Sequence, residues 1–217
     1  MIVAALEQLC RQGPWYVGEV LVSGSPDNVF TLQHQADARG GLGVDAVPHR
    51  FAAAEEVRDW VRYDAAGNYR PLKGAPTLRR GWSFQTRSSQ DLRRALDFIY
   101  PGALVNWLAE RSGKLRVTNL RQTLERQTGM YRVTRKITDD DADRMIGRFC
   151  RSDTGCLRTI LWRISQSQPV ISLPASKFDP RQDQLGRKDG AHVPILCAEA
   201  CNLLVAEARA VVKQKPA

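Results

Sequence analysis

Four of the five cysteines fall into two close pairs: Cys150 and Cys156 enclose five residues, Cys197 and Cys201 enclose three, and forty residues separate the pairs. A disulfide framework explains this poorly. A chain of 217 residues is long enough to fold on its own core, and its N-terminal MIVAALEQLCRQG has neither the basic start nor the small-residue cleavage site of an exported protein. Metal binding or buried thiols remain. Structural zinc knuckles usually close with about two to four intervening residues, fewer than in the first pair. An iron–sulfur cluster is therefore the leading reading, with zinc and unligated core thiols left open. Arg148, Arg151 and Arg158 flank the first pair. They can offset the excess negative charge of a cluster bound by four thiolates, although each alone reads equally well as a solvated helix face.

Other residues with chemical potential are weaker candidates. Cys10 lies on a separate helical stretch and reads as a small core residue. The histidines are His34, His49 and His192, with none paired at metal-ligand spacing. His192 precedes Cys197 by five residues and is a conceivable substitute ligand, but beside Pro194 it reads as loop surface. Asp139, Asp140 and Asp141 follow Thr138. A side-chain acceptor and three carboxylates at the positive end of a helix dipole make a cap, a reading preferred over a cation site.

These residues need elements to hold them. Apolar spacing predicts a first helix over Ile2 to Gln12 that ends at Gly13-Pro14. Trp15 to Val22 and Val29 to Gln35 read as strands of an antiparallel hairpin across the turn cluster Ser23 to Asn28, and a helix is expected from Ala53 to Tyr63. The Pro- and Gly-punctuated stretch Tyr69 to Trp82 is a connector and a candidate boundary. Beyond it helices are expected: one opened by Ser88 and Asp91, one after Pro101, one from Asn119 closed by Gly129, and one from Thr138 to Phe149 that delivers Cys150. The loop Arg151 to Gly155 can wrap backbone amides around sulfur before a helix beginning at Cys156. A further helix over Leu196 to Lys213 would put Cys197 and Cys201 at i and i+4 on one face, with Cβ atoms roughly 5–6 Å apart. The expected fold class is α+β, with an N-terminal helix and antiparallel hairpin part over 1–82 and a mainly helical, cysteine-bearing part over 83–217.

With 32 Lys and Arg against 23 Asp and Glu, the net charge is +9, and the cations are mostly Arg, which suits recognition of carboxylates and phosphates. Nucleic acid is set aside as the partner because no Lys/Arg tract, zinc finger or RNP-like aromatic run concentrates that charge. An acidic protein or a carboxylate-rich small ligand fits it equally well. No apolar run approaches the ~20 residues a membrane helix needs, so a cytoplasmic location without membrane contact is expected.

The cysteine pattern is similar to the cluster motif of sirohaem-containing sulfite and nitrite reductases. More of the chain, from Trp60 to Val205, resembles the iron–sulfur region attached to cobaltochelatase-like proteins of Deinococcus-type bacteria. That likeness is carried by VRYDAAGNYRPLKGAPTLRRGW, ALDFIYPGAL, LRQTLERQTGMYR and CRSDTGCLRTILW. The resemblance implies a 4Fe-4S cluster with Cys150, Cys156, Cys197 and Cys201 as cofactor and metal ligands, beside a stabilising α+β part. It implies no catalytic residue. Four thiolates for four irons leave no open iron, so the expected role is electron transfer or redox support to an enzyme of a tetrapyrrole (sirohydrochlorin- or cobalamin-type) pathway. The expected partner is an acidic, chelatase-like protein or a carboxylate-rich tetrapyrrole. The chain reads as an accessory redox protein rather than a complete chelatase. A sirohaem-type reductase fragment and a nucleic-acid-binding cluster protein are the alternatives.

Overall fold

The structure, a computed structural model, describes residues 2–25, 27, 29–40, 48–70, 78–115, 118–127, 129–150, 159–162, 171–173, 191–197 and 199–215. Its class is α+β. Helix α1 (Ile2–Gln12) leads into three antiparallel strands, β1 (Trp15–Val17), β2 (Val20–Gly24) and β3 (Phe30–His34). The hairpin expected across Ser23 to Asn28 is present as β2–β3, with Gly24 opposite Phe30. The single strand expected from Trp15 to Val22 instead folds back on itself at Gly18-Glu19, so that Val17 faces Val20. Gly18 makes the reversal with φ of +54°, a left-handed conformation that side chains disfavour.

A short helix α2 (Gln35–Ala38), strand β4 (His49–Phe51), helix α3 (Ala54–Trp60), strand β5 (Trp82–Thr86), and helices α4 (Ser89–Ile99) and α5 (Ala103–Arg111) follow. The cap at Ser88 is as expected, its hydroxyl accepting from the Asp91 N–H at 3.2 Å. Leu92, Ala95, Leu96 and Ile99 recur at helical spacing along α4 and are buried together with Leu6 of α1 and Leu104 of α5. That apolar stripe covers Trp15, Val17, Val20, Val22, Leu32 and Phe84 of the sheet, forming a first core.

The second half holds α6 (Leu120–Glu125), α7 (Tyr131–Thr134) and α8 (Asp139–Phe149), then strands β6 (Thr159–Trp162), β7 (Ile171–Leu173), β8 (Ala191–Val193) and β9 (Leu196–Cys197), and finally α9 (Asn202–Gln214). Asn119 caps α6 as expected, accepting from the Gln122 N–H at 2.8 Å. One sheet runs in the order β4-β5-β3-β2-β1-β8, and a second in the order β7-β6-β9. Two expectations are corrected here. The stretch from Ser165 to Ala191, whose sequence reads as a linker between the two cysteine pairs, holds β7 and the start of β8. Leu196 and Cys197 are strand rather than helix: Pro194 biases Val193 toward extended backbone, β8 pairs in parallel with β1, and β9 pairs in parallel with β6. The last helix begins only after Cys201, so the two cysteines do not share a helix face.

The expected cap of α8 is fully formed. The Thr138 hydroxyl accepts from the Asp141 N–H at 3.1 Å, and an Asp141 carboxylate oxygen accepts from the Thr138 N–H at 2.9 Å. Asp141 also accepts from Arg144 at 2.6 Å and from Lys215 beyond the end of α9. Burial alone would push this carboxyl up. The hydrogen bonds from Lys215, Thr138 and Arg144 outweigh burial and hold it well below the usual carboxylate range. The unfolded chain therefore binds more protons than the folded one as pH falls below the ordinary value of about 4, and stability is lost in that direction. We expect Asp141→Asn to cost about 2 kcal/mol at pH 7 by urea unfolding, with the gap to wild type closing toward pH 3. A gap that stays constant from pH 7 to pH 3 would remove the carboxylate from this account.

Candidate metal centre

A second core forms between α6, α8 and α9, from Leu120, Leu124, Met130, Ile137, Ala142, Met145, Ile146, Leu204 and Ala208. Cys150 and Cys197 belong to it, 5% and 4% exposed, and Cys201 packs against it half-buried. Three different local structures deliver these thiols. Cys150 is the C-terminal cap of α8, its N–H donating to the Ile146 carbonyl at 2.9 Å. Cys197 ends β9 opposite Ile160, and its thiol points toward the Glu199 carbonyl at 3.9 Å. Cys201 is the N-terminal cap of α9, where the positive end of the helix dipole favours negative charge. At the end of α8 the dipole has the opposite sign, and Arg148 in its last turn counters it.

Cys156 and the Arg151 to Gly155 loop lie outside the described residues, as does Arg158, and where the chain is next described the helix expected from Cys156 is replaced by strand β6, held by its pairing with β7 and β9. Among the described residues no group of three or more His, Cys, Asp or Glu side chains stands where it could hold a metal ion. What the fold does is place Cys150 and Cys197 in, and Cys201 against, one apolar core, with thiols as the candidate ligands. That donor set fits an iron–sulfur cluster, and by its chemistry alone a zinc site as well.

The other candidates sit elsewhere. Cys10 packs against the first core and its sulfur accepts from the Trp15 indole N–H at 3.3 Å; burial pushes its thiol up. His192 is not loop surface as expected but lies on β8, stacked on Tyr16 with ring centres 4.8 Å apart. His34 is buried in the first sheet, with Nδ1 accepting from the Ala36 N–H at 3.1 Å, and His49 stacks on Trp60. Arg148 does not stand alone, since it pairs with Glu207 of α9 at 3.2 Å and ties the two cysteine-bearing helices together. Arg144, Arg148 and Lys215 line a cavity of about 460 Å³ between these helices, where Asp141 and Glu207 already meet them.

One residue near the centre was missed by sequence reasoning. Asn106 of α5 donates its Nδ2–H to the Leu196 carbonyl at 3.0 Å, on the peptide that leads into Cys197. Its only signal is a polar side chain interrupting the apolar run Ala103-Leu104-Val105-Asn106-Trp107-Leu108.

Between the two metal readings, comparison with known proteins decides. Residues 112–210 match the profile of a 4Fe-4S iron-sulfur cluster binding domain, which contains all four cysteines of the two pairs. Residues 3–111 match the profile of the DR2241 stabilising domain. Among solved structures, the chain is similar to DR2241 from Deinococcus radiodurans, described as a multi-domain protein with structural similarity to chelatases but also with two additional novel domains. The similarity extends over 99% of this chain and 41% of that one, at 30% identity and a TM-score of 0.72. No curated protein matches the chain significantly. Among the described residues no helix is long and apolar enough to cross a membrane.

Proposed function

Since this chain belongs to the DR2241 stabilising-domain family and carries a 4Fe-4S cluster-binding domain, we propose that Cys150, Cys156, Cys197 and Cys201 hold the cluster and that it passes electrons to a tetrapyrrole-linked partner. The observation that carries the ligand assignment is the convergence of Cys150, Cys197 and Cys201 on one core while Cys10 stays in the other. A cluster with four thiolate ligands supplies outer-sphere electron transfer. The chain's own contribution is the apolar second core, which limits solvent access and so tunes the potential.

The tetrapyrrole link rests on likeness to a protein described as similar to chelatases, of which this chain spans 41%. The stabilising and cluster-binding parts correspond, in this reading, to that protein's two additional domains, and the electron acceptor is chelatase-like. The partner is acidic, or is itself a carboxylate-rich tetrapyrrole, because the net charge is +9. The described cations nearest the centre, Arg144 and Arg148, are engaged by Asp141 and Glu207. Docking charge therefore falls to Arg151, Arg158, Arg163, Lys177, Arg181, Arg187 and Lys188, which surround the ligands in the sequence. Several cations of one sign steer an anionic partner at low ionic strength and lose that effect as salt rises.

The test is titration of the cluster-loaded protein with sirohydrochlorin and, separately, with a chelatase-like protein from the same cell, at low and high salt. Binding of either that weakens with salt is expected. If neither binds while generic DNA does, with a steep salt dependence, the protein is a nucleic-acid-linked cluster protein instead.

A further inference from the structure

One short segment belongs to both cores. From Ala191 to Val193 it runs parallel to β1, and Val193 and Ile195 are buried in the first core, 2% and 1% exposed. Two residues after Ile195, Cys197 is buried in the second core and paired with β6. A single peptide, Leu196–Cys197, thus carries the chain from one core into the candidate thiol site of the other. Asn106 grips that peptide by its carbonyl, from a helix whose Ala103, Leu104 and Trp107 are built into the first core.

The consequence follows from the peptide's planarity. The carbonyl oxygen of Leu196 and the Cα of Cys197 lie in one rigid plane, so a hydrogen bond that fixes the oxygen also fixes where the Cys197 side chain starts. We infer that Asn106 is a positioning residue for Cys197, through which the N-terminal sheet sets the orientation of a cluster-ligating thiol. This rests on the reading of Cys197 as a ligand. Groups that orient a ligand from behind change affinity and potential without touching the metal. Removing the Asn106 donor leaves the strand held only by its sheet partners and frees the peptide to rotate about its own axis. Glu199, whose carboxylate oxygen lies where a side chain on Gly102 would reach it at 3.7 Å, places the same turn of α5 against the link between Cys197 and Cys201.

A purely structural Asn106 would lower stability and nothing else, so the experiment compares two kinds of damage in the loaded full chain. Asn106→Ala and Asn106→Asp both remove the donor, Asn106→Gln keeps one, and Val57→Ala opens the same first core on α3, an element that carries neither Asn106 nor the Leu196–Cys197 peptide. The readouts are the EPR spectrum of the reduced form, the midpoint potential, and the rate of iron loss to a chelator. The donor-less variants are expected to shift the spectrum and the potential and to lose iron about 10-fold faster or more, with Asn106→Gln moving back toward wild type. Val57→Ala is expected to lower the melting temperature with the spectrum unchanged. The inference is overturned if Asn106→Ala and Asn106→Asp match wild type in spectrum and iron loss while Cys197→Ser loses the cluster. It is equally overturned if Val57→Ala reproduces their spectral shift. If Cys197→Ser keeps a full cluster, the ligand assignment itself fails, which separates the two claims.

Discussion

Cys150→Ser, Cys156→Ser, Cys197→Ser and Cys201→Ser proteins purified without oxygen are expected to be colourless or to bleach within the preparation, while Cys10→Ser keeps the brown absorbance of wild type. Each of four irons takes one thiolate, and serine offers a hard, weakly acidic oxygen in its place. Cys150 and Cys197 are 5% and 4% exposed, so solvent cannot readily supply a replacement ligand. Cys10 packs against the other core, with its sulfur occupied by the Trp15 indole. Loss of colour from Cys10→Ser equal to that from the other four would mean that the ligands are assigned wrongly.

Gly18→Ala is expected to destabilise the protein by roughly 2–5 kcal/mol. A β-carbon there would stand 2.6 Å from the ring and hydroxyl of Tyr100 and 2.8 Å from the end of Ile195, on a residue with φ of +54°. Tyr100 cannot swing aside: it is 1% exposed, and its hydroxyl accepts from the Glu19 N–H at 2.9 Å. Ile195 is equally enclosed, 1% exposed in the first core, and lies two residues before Cys197. Urea unfolding followed by the fluorescence of the buried Trp15 and Trp82 measures the loss. A change below about 0.5 kcal/mol, the range of an unremarkable surface substitution, would show that the turn adapts.

What was legible in the sequence is what depends on near neighbours in the chain. Ser88 with Asp91, Asn119 with Gln122, and Thr138 with Asp141 are caps written within three residues, and all three form. The β2–β3 hairpin was readable for the same reason, its turn residues lying between its strands. The strands β8 and β9 were not, because what makes them strands is far away. Ala191 pairs with Trp15, and Cys197 with Ile160, so no local period announces either. The error at Cys197 has a specific cause. The run from Leu196 to Lys213 has apolar spacing that suits a helix, and pairing with β6 pulls its first two residues into extended backbone. The spacing of the cysteines is visible in the sequence because it is a matter of residue type, while the presentation of Cys150, Cys197 and Cys201 by a helix end, a strand and a helix start depends on packing.

The most direct test of the account is iron and acid-labile sulfide content, measured on anaerobically purified wild type beside the five single cysteine variants. Wild type and Cys10→Ser are expected to carry about four irons and four sulfides per chain, with both lost together in the other four. Stoichiometric zinc with no sulfide in wild type would contradict it.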